Sequence, residues 1–164
     1  TKRTRKWDVV GLAAVEVGMV FVLITILTGM IWAHRTWGTW WTWDPRLTTA
    51  AIMELAYAAY LMLRAGIDDP ERRARFGAVY AIIATISVPM TFFSIRFFRT
   101  IHPVLIGGVD PLNANTLGMS SDMTVTLMIC LAAFSILFAT LLWHRIRLGQ
   151  LNETLEQARL RLAE

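Results

Sequence analysis

The sequence predicts an all-α fold, a polytopic bundle of membrane-crossing helices, and three observations carry that reading. Of its 164 residues 55% are hydrophobic and only 17% charged, against about 25% charged in an average soluble domain. The apolar residues fall into long runs. One charge interrupts Val9 to Trp32, one interrupts Leu47 to Leu63, and none interrupts Phe76 to Ile95 or Met123 to Trp143. A membrane-spanning helix needs roughly 17–25 mostly apolar residues, and a mean hydropathy of +0.50 fits that class. Finally, twelve of the sixteen basic residues lie on one side of the proposed spans.

These observations predict four spans, near 8–33, 47–65, 76–95 and 122–143. The first is preceded by Lys2, Arg3, Arg5 and Lys6, and the second is followed by Arg64, Arg72, Arg73 and Arg75. The last is followed by Arg145, Arg147, Arg159 and Arg161. Only Arg35, Arg46, Arg96 and Arg99 lie on the other side. Positive residues stay in the cytoplasm, so both termini are expected inside, with loops 34–46 and 96–121 outside. The inner connection, Gly66 to Arg75, reads as a polar hairpin turn. Pro89 is expected to kink the third span. The second outer loop is aromatic and basic at first, then rich in turn residues from Gly107 to Ser121.

Residues 1–143 thus form a transmembrane bundle, and 144–164 a cytoplasmic helical tail. In that tail Leu148, Leu151, Leu155, Ala158 and Leu162 are spaced 3-4-3-4. This is a seam of about two heptads, shorter than a firm coiled coil requires.

Composition also excludes several classes. Disorder, collagen, coiled coil and small disulfide scaffolds do not fit this balance, and the lone Cys130 cannot form an internal disulfide. A net charge of +4 suits nucleic acid less than a membrane, given where the charges lie. With no CxxCH the chain is not itself a c-type cytochrome. No phosphate loop, catalytic triad or metalloprotease motif is present, so no hydrolase or ATPase activity is expected of it.

The concentrated signal is aromatic. Trp32, Trp37, Trp40, Trp41 and Trp43 fall within 12 residues. An interfacial belt explains single tryptophans such as Trp7 and Trp143, but not five together. If 37–43 were helical, Trp37, Trp40 and Trp41 would share one face. Asp44 before Pro45 suits the N-cap of the second span, a role compatible with a site role. Flat indoles give a rigid wall for a large planar apolar ligand, and flanking Arg35 and Arg46 suit carboxylates. A planar apolar ring with two carboxylates describes heme.

The segment Trp37-Gly38-Thr39-Trp40-Trp41-Thr42-Trp43-Asp44 resembles the WWD motif of heme-handling membrane proteins in cytochrome c maturation. The continuation Pro45-Arg46-Leu47-Thr48 is similar to that of the CcmC family. The likeness continues through Asp68-Asp69 and through Ser94 to His102, covering roughly residues 10–105. The resemblance implies that heme b is held transiently on the outer face by Trp37, Trp40, Trp41, Trp43 and Asp44, with His102 as axial ligand. Arg46 and Arg99 would serve the propionates, with Arg35 and Arg96 as weaker candidates. It implies transfer of heme to a periplasmic chaperone, CcmE, aided by the small membrane protein CcmD and the transporter CcmAB. The location implied is the bacterial inner membrane, with the WWD loop periplasmic.

The family has six helices and two outer histidines, the first of them upstream of this segment. Together with a chain that starts at Thr1, this leads us to expect two further helices before it. An isolated outer-loop histidine is ordinarily just solvated, and it is the resemblance that makes His102 a ligand. His34 and His144 are expected at the membrane interfaces. Glu16 and Glu54 lie within spans, where ionisable groups are costly, and structural pairing or protonated hydrogen bonding is expected of them. Met53, Met62, Met90 and Met128 read as packing residues, and Met119 as a weakly supported soft ligand. A cytochrome b-like subunit would need paired mid-span histidines, and a permease half would need broken helices around a polar midplane. Pro89 with Glu16 or Glu54 gives the latter little support.

Overall fold

A computed structural model of the chain describes residues 2–102 and 120–163. Among these, every regular element is helical: α1 (Lys2–Trp37), α2 (Pro45–Ala65), α3 (Pro70–Thr85), α4 (Ser87–Phe97) and α5 (Ser121–Ala163). They form four rods, because α3 and α4 are successive parts of one expected span. The predicted all-α membrane bundle is what this chain builds. Most of the turn-rich stretch expected over 107–121, with Met119, lies outside the described residues.

The helix boundaries follow from local chemistry. α1 is 36 residues long and so extends about 54 Å, beyond the predicted 8–33 at both ends. It stops at Gly38, whose φ of 72° is the left-handed conformation that favours glycine. The Gly38 N–H donates to the His34 carbonyl at 3.1 Å. Residues 38–44 are therefore not helical. That corrects the conditional expectation of a helical tryptophan face. Asp44 caps α2 as expected: its backbone is extended, its Oδ1 accepts from the Leu47 N–H at 2.9 Å, and Pro45 opens the helix. Asp69 does the same for α3, accepting from the Glu71 N–H at 3.1 Å ahead of Pro70.

The third span breaks between Thr85 and Ser87. Pro89 has no N–H for the Thr85 carbonyl four residues earlier, so the break falls one turn before the proline. The turn tightens there: the Ile86 N–H donates to Ile83 O at 3.1 Å, and Ser87 Oγ donates to Ala84 O at 2.6 Å.

Among the described residues three stretches are long and apolar enough to cross a membrane: Lys6–Trp37, Pro70–Phe97 and Ser121–Arg159. The fourth expected span, α2, is not one of them. Its 21 residues reach about 31 Å, enough for a hydrocarbon core of about 30 Å. Glu54, two tyrosines and the polar ends lower its hydropathy. It packs against α1, α3 and α4, while α5 packs along α1.

Contacts in the middle of the bundle and at one of its ends differ in kind. In the middle, Phe21 of α1 meets Phe134 and Phe138 of α5 edge-on, at 6.4 and 5.5 Å between centroids. At the end away from the tryptophans, Arg64 of α2 grips Asp8 of α1 through two bonds of 2.5 and 2.7 Å. The Arg64 side chain is only 7% exposed. A Cβ on Gly77 of α3 would stand 2.7 Å from Arg64 Nη1, so the bare glycine leaves room for that guanidinium. Glu16 of α1 pairs with Arg145 of α5 at 2.6 Å, meeting the expectation of structural pairing. Glu54 forms no ion pair among the described residues. It lines a cavity of about 330 Å³ with Met19, Val22, Met53, Tyr57 and Val88.

Candidate functional site

The turn at Gly38 brings the tryptophans together without a helix. Trp40 folds back so that its ring stacks on His34, with centroids 4.1 Å apart and planes 7° from parallel. Thr39 Oγ1 donates to the Trp41 carbonyl at 3.0 Å and holds the turn. Trp32 and Trp37 meet edge-to-face at 5.0 Å, and Trp41 meets Trp43 at 5.6 Å.

Between this loop and the upper parts of α1 and α2 lies a cavity of about 350 Å³. Trp32, Trp37, Trp40, Trp41, Arg46 and His102 line it, with Met30, Met53 and several threonines. That volume is within the range of small-molecule sites, roughly 300–1,000 Å³. Trp41 Nε1 and Thr42 Oγ1 belong to its lining residues and are buried without a hydrogen-bond partner. A buried polar atom left unpaired costs free energy, so a ligand with an acceptor for the indole N–H would relieve it. Val22 and Met53 also line the cavity at Glu54, so the two spaces adjoin.

His102 is placed by Asp44. Its Nδ1 lies 2.8 Å from Asp44 Oδ2, the oxygen not used in capping α2. Thr100 donates its hydroxyl to the same Oδ2 and accepts the His102 backbone N–H at 3.1 Å. Trp37 meets the imidazole edge-to-face at 5.2 Å. With Nδ1 engaged, Nε2 is the ring nitrogen left for a ligand in the cavity. Burial works against the charge on Asp44. The hydrogen bonds from Thr100, Leu47 and His102, and the charge of a protonated His102, outweigh it, so the carboxyl is held below its ordinary value.

Of the residues expected at the site, Trp37, Trp40, Trp41, Arg46 and His102 share one cavity wall. Asp44 stands behind His102 and not on the wall. Trp43 is 76% exposed, and Arg99, also exposed, lies away from the lining. Sequence reasoning missed the Thr100 clasp and the His34–Trp40 stack. The order Thr-Ile-His was visible, but nothing in it says that a threonine two residues away will bridge to Asp44. His144 is at the opposite end, beside Arg145. No group of three potential metal-binding side chains occurs among the described residues.

Comparison with known proteins gives a consistent result. A family model described as CcmC, heme exporter protein C, matches residues 1–161. The heme exporter protein C of Bradyrhizobium diazoefficiens is 35% identical over 137 residues, covering 82% of this chain and 49% of that protein. That of Paracoccus denitrificans is 33% identical over 135 residues (82% and 55%). That of Haemophilus influenzae is 29% identical over 142 residues (87% and 56%). The chain spans about half the length of these curated relatives.

Proposed function

The chain belongs to the CcmC, heme exporter protein C, family, and from that premise we propose that it handles heme for cytochrome c maturation. Heme b is held transiently in the tryptophan cavity and presented to the periplasmic chaperone CcmE. The observation that carries this reading is an apolar cavity lined by four tryptophans with one imidazole on its wall, fixed from behind by a carboxylate.

The residues present suit such a cargo. Trp37, Trp40 and Trp41 offer ring faces and edges to a planar macrocycle. His102 offers Nε2 as an axial nitrogen, an ordinary donor to heme iron. Asp44 sets its tautomer and ring orientation, as carboxylates do for metal-bound histidines. Arg46 on the wall supplies charge for the propionates; Arg99, away from the lining, would have to reach them from outside the cavity. The unpaired Trp41 N–H and Thr42 hydroxyl supply further polar contacts. A second axial ligand, which the family resemblance implies, would come from outside the described residues.

In this reading the tryptophan loop faces the periplasm and both ends of the chain face the cytoplasm, in a bacterial inner membrane. The chain acts as a heme-transfer protein and not as a hydrolase. It works with CcmD and with the transporter CcmAB, to which ATP hydrolysis belongs.

The test is heme titration of the detergent-purified chain, followed by absorption spectroscopy, beside His102→Ala and Trp41→Ala. A Soret band that is lost in the histidine variant and weakened in the tryptophan variant supports the site. If the chain alone binds nothing, the same titration is repeated with two helices of a longer relative joined ahead of it. Absence of binding there overturns the proposal.

A further inference from the structure

The heme-handling reading leaves the long end of α5 without a task. The helix runs unbroken from Ser121 to Ala163, so about 30 Å of it continues past Trp143, where the apolar run ends. One side is used: Arg145, Gly149, Asn152, Glu153 and Glu156 line a cleft with Asp8, Glu16 and Arg64. At Gly149 a Cβ would stand 2.6 Å from Val9 Cγ1, so α1 approaches there closely. The heptad seam lies on another side. Leu148, Leu151 and Leu155 are 57%, 59% and 59% exposed, and Leu162 is 89% exposed. Past the apolar run, where charged residues are interspersed with them, such a row of exposed leucines reads as a docking face.

The flanks of the seam say what docks. With Leu148, Leu155 and Leu162 at the first core position and Leu151 and Ala158 at the second, the flanking positions are Arg147, Asn152, Thr154, Arg159 and Arg161. Three are basic and none is acidic. Flanking charges set partner choice in paired helices. Two copies of this helix, parallel or antiparallel, would set arginine against arginine or a neutral residue. The acidic Glu153 and Glu156 cannot help, because they line the cleft toward α1 and α2. A lipid surface fits no better, since an unbroken helix carries most of the seam away from the membrane. Two heptads pair weakly when free in solution, and a tether alongside supplies the missing effective concentration.

We propose that this seam docks a helix of a different membrane protein, one that emerges beside α5 and carries its own apolar seam flanked by aspartate or glutamate. The proposal stands independently of heme binding.

The experiment places a photo-crosslinking benzophenone amino acid at position 151 or, as a control, at Gln157 in the intact chain in its own membrane. The adducts are then sequenced. The expected result is a hetero-adduct from position 151 and not from 157, mapping to a helix with acidic flanks. Reversing charge with Arg159→Glu and Arg161→Glu should lower its yield by about fivefold, the size of two exposed ion pairs changed to repulsions. Reversing the partner's acidic flanks to lysine should restore it. Both arginines are exposed, and an unchanged helical circular dichroism spectrum establishes that the variant is folded. An adduct between two copies, within one polypeptide or only with lipid overturns the proposal. So do equal yields at 151 and 157, or a yield indifferent to the charge reversal.

Discussion

Asp44 Oδ2 lies 2.8 Å from His102 Nδ1, joining residues 58 positions apart, while Oδ1 of the same side chain caps α2. One carboxylate therefore starts a helix and orients an imidazole. Asp44→Ala should lose both contacts. A lost cap costs about 1 kcal/mol and a lost charge-assisted hydrogen bond about 1.5–3 kcal/mol. Asp44→Asn keeps one acceptor oxygen, enough for the Leu47 N–H or for the His102 side but not for both, and should cost less than Asp44→Ala. Thermal melts of the purified variants in one detergent check the order; equal losses would mean that the charge alone matters.

The same carboxylate predicts an acid limit. Its folded-state affinity for protons is lowered, so its contribution to stability is fully present above the unfolded value of about 3.9. That contribution disappears as pH falls through the lower folded value. The melting midpoint should drop more steeply below about pH 4 in the parent than in Asp44→Asn. Melts recorded from pH 6 to pH 2.5 show whether the curves converge.

Gly38 holds φ at 72° with no atom within 4 Å of the place a Cβ would take. The cost of a side chain there is conformational and not steric. Gly38→Ala should destabilise by about 1–2 kcal/mol, and Gly38→Asn by less, because asparagine tolerates this conformation better. The alanine variant should also disturb the His34–Trp40 stack, read as a change in tryptophan fluorescence.

Arg64 and Asp8 make a second test. Arg64→Met alone leaves a mostly buried carboxylate without its partner, at a cost of about 3–5 kcal/mol. Combining it with Asp8→Leu removes both charges and should recover most of that loss. If the double variant is as unstable as the single, the pair is not what holds α1 to α2. Midpoints for the four-member cycle decide.

The bundle was legible because hydrocarbon thickness and backbone hydrogen bonding leave few options to an apolar run. The cap at Asp44 was legible because an acid before proline has a local meaning; the same pattern at Asp69-Pro70 was read only as part of a turn, and it opens α3. What escaped was non-local. The spacing of Trp37, Trp40 and Trp41 suggested a helical face, but a left-handed glycine at 38 ends α1 first and assembles the indoles by folding the loop. Pro89 predicted a bend, and the break settled a turn earlier, where the unmatched carbonyl lies. The membership of the cavity wall, with Arg46 on it and Arg99 away from it, depends on how two distant loops meet. No periodicity encodes that.

The two acids of α1 meet their cations in a fixed order of synthesis. Arg64 follows Asp8 by 56 residues, but Arg145 follows Glu16 by 129. During synthesis Glu16 therefore remains uncompensated until residue 145 has been made. Synthesis that stops before residue 145 leaves α1 with an unneutralised acid in its apolar stretch, so α5 is what balances the charge of α1.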